Sequence, residues 1–416
     1  MGLPWEGFMI SLIRRAGLAF VALLLFSVPA LAADRAPVIL VSIDGFRADY
    51  ALRGLTPTLA RLAAEGAWAP GGMRPSFPVN TFPNHYSLVT GLRPDHHGLT
   101  DNTLFDDARP GVKFSMYARD QVQDRFWWDG GEPVWVTAER KGLRAFTMYW
   151  PGSEAAIHGV RPSQWFVYDE ADPAFARVDR VLGWLDLPAD QRPDFMTLYF
   201  EAIDTTGHRV GPDGADLNAA LGEVDTALAR LVAGLEARGL YDRVNLIVVA
   251  DHGMAGTSPD RRVYLDDLVP IAEVTTVTMG AVSGLIPLTP AAEAALVDQQ
   301  HPHVQCRRKA ELPKRFHYGT HNRVPPVICL AETGWLLTTR DWAARRPMTG
   351  PAGSHGYDPE AIEMRALFVA HGPAFRAGAR LPAFDNVSVY PLIMRLLGLK
   401  ARPNDGRAED TASALR

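Results

Sequence analysis

Residues 37–46 read P-V-I-L-V-S-I-D-G-F. The unbroken, largely β-branched run fits a strand buried on both faces, as the inner strands of a parallel sheet are. Asp44-Gly45 ends it with a turn signal. Thr56-Pro57 then opens a helical pattern in which Leu59, Leu62 and Ala63 share a face and Gly66 stops the run. This strand-loop-helix unit recurs. Residues 195–200 read as a buried strand leading to Asp204, and an amphipathic helix runs through Leu217, Leu221, Val224, Leu228, Leu231 and Leu235 to a stop at Gly239. Residues 244–250 form a further strand with Asp251-His252 directly behind it. A late strand at 366–370 precedes a terminal helix at 389–397. Alternating strands and helices predict an α/β fold, a doubly wound and mostly parallel central sheet flanked by helices.

In such sheets ligands bind beyond the carboxyl ends of the strands. Asp44, Asp204, Asp251 and His252 all fall there, His208 lies one helical turn after Asp204, and His355 sits in G-S-H-G-Y. A lone Asp at a strand end is ordinarily a cap or turn residue. Asp251-His252 behind a buried strand is less ordinary, since burying two polar groups is costly unless something binds them. Three carboxylates and three imidazoles without thiolate suit zinc, and manganese or iron use similar donors. Two divalent ions would outweigh three carboxylates by one positive charge, which suits an alkoxide or phosphate oxygen. Paired ions of this kind stand about 4 Å apart and clamp both oxygens of a phosphoryl displacement. Thr81, in N-T-F-P-N-H-Y, is expected at a helix N-cap because Pro83 suits a first turn. Its hydroxyl would meet the positive end of the helix, and coordination to a cation would make it a nucleophile.

The frame agrees with an enzyme. The chain has 416 residues, 47% of them hydrophobic, and a formal net charge of -5, which argues against a nucleic-acid grip built on a broad basic face. Arg14 and Arg15 precede an apolar run at 16–28 and a small-x-small pattern at Ala30-Leu31-Ala32. Residues 1–32 are therefore expected to be an export signal with translation starting at Met9, cleaved after Ala32, giving a periplasmic or secreted protein with no membrane span. A retained anchor is the alternative, although the run is short of the roughly 20 residues a spanning helix needs. Residues 33–416 read as one catalytic domain. Its pattern loosens at 265–348, the expected insertion, where Cys306 and Cys329 either form one disulfide or remain separate thiols.

S-I-D-G-F, N-T-F-P-N-H-Y-S-L-V-T-G-L-R-P-D-H-H-G, W-P-G-S-E, D-H-G-M and G-S-H-G-Y-D together resemble the nucleotide pyrophosphatase/phosphodiesterase family of the alkaline phosphatase superfamily. The resemblance implies an alkaline phosphatase-like fold and two zinc ions per chain. Asp204, His208 and His355 would hold one ion, and Asp44, Asp251, His252 and Thr81 the other. It further implies that Thr81 attacks phosphorus in line and forms a covalent intermediate, that Asn102 supports a non-bridging phosphate oxygen, and that Phe82, Tyr168 and Phe114 line a nucleobase slot. A neutral amide suits a diester, where monoesterases facing a dianion use a cation. His85 and His97 are expected either to be structural or to support the ligands from behind without touching an ion. His96, His158, His317 and His371 are expected on the surface or in turns, as are Asp95 and Asp101.

Sulfatases need a C/S-x-P-x-R motif that neither Cys306 nor Cys329 provides. An alkaline phosphatase would use Ser and Arg where Thr81 and Asn102 stand. The expected substrate is a small nucleotide or phosphodiester. The competing reading is a phospholipid or lysophospholipid diesterase, because aromatic faces also receive choline. An inactive envelope binding protein would be expected to lack one of these residues.

Overall fold

The computed structural model describes residues 35–416 together with Met1 and Gly2. The expected signal otherwise lies outside the described residues, among which no helix is long and apolar enough to cross a membrane.

Strand β1 (Val38–Ile43) is buried at every position. A short 3-10 turn leads to α1 (Pro57–Glu65), which turns Leu59 and Leu62 inward and stops at Gly66. No side chain at Thr56 caps α1. Buried Asp225 instead accepts from the N–H groups of Thr58 at 2.9 Å and Leu59 at 3.0 Å, satisfying two donors that a helix start leaves open. Next come β2 (Ala67–Trp68), α2 (Thr81–Thr90), β3 (Ala145–Met148), α3 (Ala174–Leu185), β4 (Phe195–Phe200) and α4 (Ala202–Val210). The long helix α5 (Ala215–Ala237) buries Leu217, Leu221, Val224, Leu228, Leu231 and Leu235, the apolar face read from the sequence. Strand β5 (Asn245–Val249) follows, fully buried.

The next strands, β6 (Val274–Thr276), β7 (Val282–Pro287), β8 (Val304–Arg308) and β9 (Val327–Ala331), form a separate antiparallel sheet in the order β6-β7-β9-β8. It encloses its own cluster around Leu285, Leu296, Val327 and Leu337. Cys306 stands opposite Cys329 across β8 and β9, and the two are disulfide-bonded.

Strand β10 (Phe368–His371), β11 (Ala379–Arg380) and α6 (Val389–Leu396) complete the main body. The central sheet has the order β11-β2-β10-β5-β1-β4-β3. β1 pairs parallel with β4 and β5, β4 pairs parallel with β3, and β10 alone runs against its neighbours. The sheet is thus α/β and mostly parallel, as expected. The late strand runs antiparallel, and carries His371 into the interior at 5% exposure, where the sequence suggested a surface or turn position. β5, β1 and β4 are adjacent, so their three carboxyl ends open onto one place.

Candidate metal centre and active site

Asp44 follows β1, Asp251-His252 follows β5, and Asp204 follows β4. Asp204 lies in the first turn of α4, not in a loop, and presents itself with His208 from one helical face. His355 arrives beside them after a short strand at Ala352–Ser354. Asp44, Asp251 and His252 are essentially inaccessible to solvent, while His208 is exposed.

Among the described residues three groupings of donor atoms result, one of them Asp44 with His85 and Asp251. Asp204, His208 and His355 place one ligand atom each within 4.8 Å of one another, and so do Asp44, Asp204 and His252. His252 Nε2 lies 3.0 Å from Asp251 Oδ2 and 3.6 Å from Asp44 Oδ1. His208 Nε2 is 3.4 Å from Asp204 Oδ2, and His355 Nε2 is 3.7 Å from Asp204 Oδ1.

The chemistry of these donors fits a pair of cations. Asp44 Oδ1, Asp204 Oδ1 and Asp251 Oδ2 are buried without a hydrogen-bond partner, which is expensive for a carboxylate unless an ion fills the role. Each imidazole donates its Nδ1 hydrogen to a backbone carbonyl: His208 to Gly353 at 2.9 Å, His252 to Gly253 at 2.9 Å and His355 to Val79 at 2.8 Å. That leaves three Nε2 lone pairs facing the carboxylates, the arrangement typical of metal-ligating histidines. Burial, then the charges of Asp251 and Asp204, hold Asp44 well above the usual carboxylate range. Burial and the neighbouring His252 and His208 push His355 well below the ordinary imidazole value. Against its own burial, the adjoining His252 and His85 hold Asp251 well below the usual carboxylate range.

Thr81 stands over this cluster with Oγ1 3.3 Å from His252 Nε2. The N-cap is Asn80, in extended conformation, and Thr81 is the first helical residue. The shift of one position from the expected cap frees the Thr81 hydroxyl from capping, and its N–H still precedes any intrahelical acceptor. Buried Asn84 ties down the approach to Thr81: its amide donates to the carbonyls of Ser76, Pro78 and Asn80 and accepts from the Ser76 N–H. Asn102 Oδ1 accepts from the Phe82 N–H at 2.8 Å, which leaves the Asn102 NH2 as the free donor beside Thr81.

Residues assigned to background roles matter more than the sequence suggested. Asp101 Oδ1 accepts from both Asn80 Nδ2 at 2.8 Å and the Asn102 N–H at 2.6 Å, linking the two sides of Thr81. Burial pushes it up to about 6 against those bonds. Asp95, also taken for a turn residue, is buried and accepts the N–H groups of Gly319, Thr320 and His321. His85, for which the sequence leaves both a structural and a ligand-supporting role open, bears directly on the site, its Nδ1 3.3 Å from Asp251 Oδ2. It binds the Thr81 carbonyl through Nδ1 at 2.9 Å and Ser42 Oγ through Nε2 at 2.8 Å, so both ring nitrogens are engaged within the protein.

A cleft of about 590 Å³ runs from Thr81 and Asp204 along Phe82, Tyr149, Glu154, Tyr168 and Tyr199. Phe82 and Tyr168 stand in its wall. Phe114 does not: it is fully buried, its ring centroid 6.2 Å from that of Phe82 and 6.0 Å from that of Trp128. It backs Phe82 instead of facing a ligand, because its short strand turns it into the tryptophan cluster. Glu154 accepts the Tyr168 N–H at 3.0 Å and thereby sets the height of that ring.

A mostly parallel α/β sheet with an Asp/His cluster and a threonine at its carboxyl edge is an arrangement that suits metal-assisted phosphoryl transfer. The family described as Type I phosphodiesterase / nucleotide pyrophosphatase matches residues 38–358. An uncharacterized pyrophosphatase/phosphodiesterase of Schizosaccharomyces pombe is 36% identical, over 89% of this chain and 79% of its own length. A bis(5'-adenosyl)-triphosphatase of Xenopus laevis is 35% identical, over 91% and 81%. Among solved structures, an inactive threonine-to-alanine variant of murine ectonucleotide pyrophosphatase/phosphodiesterase 5 in complex with AMP superposes with a TM-score of 0.85 at 31% identity, covering 92% of this chain and all of that one. The chain belongs to the type I phosphodiesterase/nucleotide pyrophosphatase family, within the alkaline phosphatase superfamily. It is a hydrolase of phosphodiester and pyrophosphate bonds.

Proposed function

We propose that this enzyme cleaves nucleotides and nucleotide diesters to nucleoside 5'-monophosphates, with two zinc ions and a covalent intermediate on Thr81. The observation that carries the reading is the convergence of three orphaned carboxylate oxygens and three imidazole lone pairs beside Thr81 Oγ1. Asp204, His208 and His355 would hold one ion; Asp44, Asp251, His252 and Thr81 would hold the other. When bound, the ions would supply Lewis acidity at the phosphate oxygens and lower the pKa of the Thr81 hydroxyl.

Thr81 Oγ1 attacks phosphorus as the bond to the leaving alkoxide or pyrophosphate breaks. Water attacking from the opposite side then cleaves the threonine ester, releases the monophosphate and gives net retention. The Asn102 NH2 and the Thr81 N–H, at the positive end of α2, hold a non-bridging oxygen through both steps. Phe82 and Tyr168 receive the base, for which aromatic stacking is tolerant of identity. The inactivity of the murine threonine-to-alanine variant supports a threonine in the reaction, and its AMP ligand supports a nucleotide substrate. The sequence at 1–32 supports export to the periplasm or beyond.

The test is a substrate panel on wild type and Thr81→Ala at fixed zinc, together with metal analysis. The variant is expected to lose about 10³-fold or more in kcat on a nucleotide p-nitrophenyl ester. Retained turnover in Thr81→Ala removes the covalent mechanism. Near-exclusive turnover of p-nitrophenylphosphocholine by wild type would establish the lipid-type activity in place of the nucleotide one.

A further inference from the structure

Tyr199 contributes nothing to the ligand set, yet it holds one end of it. In β4 it stands opposite Ser42 of β1, two residues before Asp44. Its hydroxyl donates to Asp44 Oδ2 at 2.6 Å, while the Asp44 N–H bonds the carbonyl of the next residue, Phe200, at 2.9 Å. Asp44 is therefore clamped to β4 by both its backbone and its side chain. The clamp itself is rigid. Arg177, 1% exposed, donates to the Tyr199 carbonyl at 3.0 Å and grips Glu201 with two nitrogens at 2.5 and 3.0 Å.

The consequence lies in the other carboxylate oxygen. With Oδ2 committed to the phenol, Asp44 cannot rotate, and Oδ1 is left buried, unpartnered and 3.6 Å from His252 Nε2. We propose that Tyr199 is a positioning residue for the metal centre, fixing Asp44 so that Oδ1 is the oxygen that faces an ion. The inference rests on the two-metal reading above and deepens it by assigning a residue outside the ligand set. Hydrogen bonds to metal-ligating groups commonly carry 10- to 100-fold in metal affinity or activity.

Tyr199→Phe is the test, since it removes only the hydroxyl and keeps the ring contacts with His85 and Tyr168 at 5.4 and 5.9 Å. A melting curve of the metal-free variant checks its fold. Competition of the metal-free proteins with a chromophoric zinc chelator is expected to show roughly 10- to 100-fold weaker binding at one of the two sites. With zinc saturating, kcat on a nucleotide p-nitrophenyl ester should fall while KM stays near wild type, a split that general loosening of the cleft would not produce. Read by zinc affinity in an Asp44→Asn background, the same change should add little further loss, because the carboxylate oxygen that Tyr199 orients is no longer there. A similar loss in both backgrounds, or wild-type zinc affinity in Tyr199→Phe, overturns the inference and leaves the two-metal reading intact. Wild-type protein that takes up no zinc overturns both.

Discussion

Asp44→Asn should abolish activity and, in metal-free protein, raise stability. The Asp44 carboxylate is 1% exposed, and it offers an oxygen within 4.8 Å of one on Asp204 and of one on Asp251. At an effective dielectric of about 20, each like-charge pair at that separation repels by about 3.5 kcal/mol. Proton uptake at Asp44, favoured by burial and those same charges, relieves much of this in the metal-free state. The net gain from an uncharged amide is then about 2 kcal/mol near pH 8, with Tyr199 still able to donate to the amide oxygen. For roughly 380 folded residues the unfolding entropy is about 0.8 kcal/mol/K, so the melting temperature should rise by about 2 to 3 °C. Calorimetry of both proteins after chelator treatment measures this, and repeating it with zinc should reverse the order. Metal-free Asp44→Asn melting at or below metal-free wild type would refute the claim that Asp44 is held against the like charges of Asp204 and Asp251.

Tyr168→Ala should raise KM for a nucleotide ester about 5- to 150-fold, the equivalent of about 1 to 3 kcal/mol of base stacking, with a smaller change in kcat; an unaltered KM would remove Tyr168 from the base slot. Burial holds His97 down at about 3, with Nδ1 accepting the Leu99 N–H and Nε2 facing Ser87 Oγ. Its folded pKa is depressed, so the unfolded chain binds the extra proton and stability falls as pH drops below about 6.5. In urea titrations of metal-free protein between pH 6 and 4, wild type should lose about 1.4 kcal/mol per pH unit more than His97→Gln; equal slopes would contradict a buried neutral imidazole. Breaking the Cys306–Cys329 bond with serines opens a loop of sequence separation 23, which in the chain-entropy estimate costs about 3 kcal/mol. Denaturant unfolding of the double serine variant checks that cost, and an unchanged midpoint would show that the sheet holds without the link.

The strands that carry the site were legible because they are buried on both faces. Runs such as V-I-L-V-S-I leave no solvent-facing alternation, and a polar residue at their end must be capped, bound or paired. The candidate ligands therefore announced themselves one strand at a time. The partners that hold them did not. Tyr199 to Asp44, Asp101 to Asn80, and Asn84 to Asn386 are hydrogen bonds across 155, 21 and 302 positions, and nothing local to either member records the other. Tyr199 itself reads as one more apolar strand residue. Phe114 shows the same limit from the other side: an aromatic near the site in sequence is turned inward by Trp127 and Trp128, which only the folded cluster reveals.

Gly45 shows why the short D-G signal carries more than a strand end. Its φ is +68°, in the left-handed region where a side chain is strained, and a Cβ there would lie 2.9 Å from the Asp204 Cα and 3.1 Å from Asp204 Oδ1. The Gly45 N–H meanwhile donates to Asp251 Oδ1 at 3.2 Å. One residue thus lets the end of β1 pass close against the first turn of α4 while it fixes the carboxylate at the end of β5. That turn brings Asp44, Asp204 and Asp251 together, and the donated hydrogen bond leaves Asp251 Oδ2 as the oxygen without a partner. Asp44 is treated in the same way by the Tyr199 hydroxyl. In both carboxylates a protein donor occupies one oxygen and the other is left facing His252, so hydrogen bonds to the opposite oxygens select which oxygen the proposed metal centre would use.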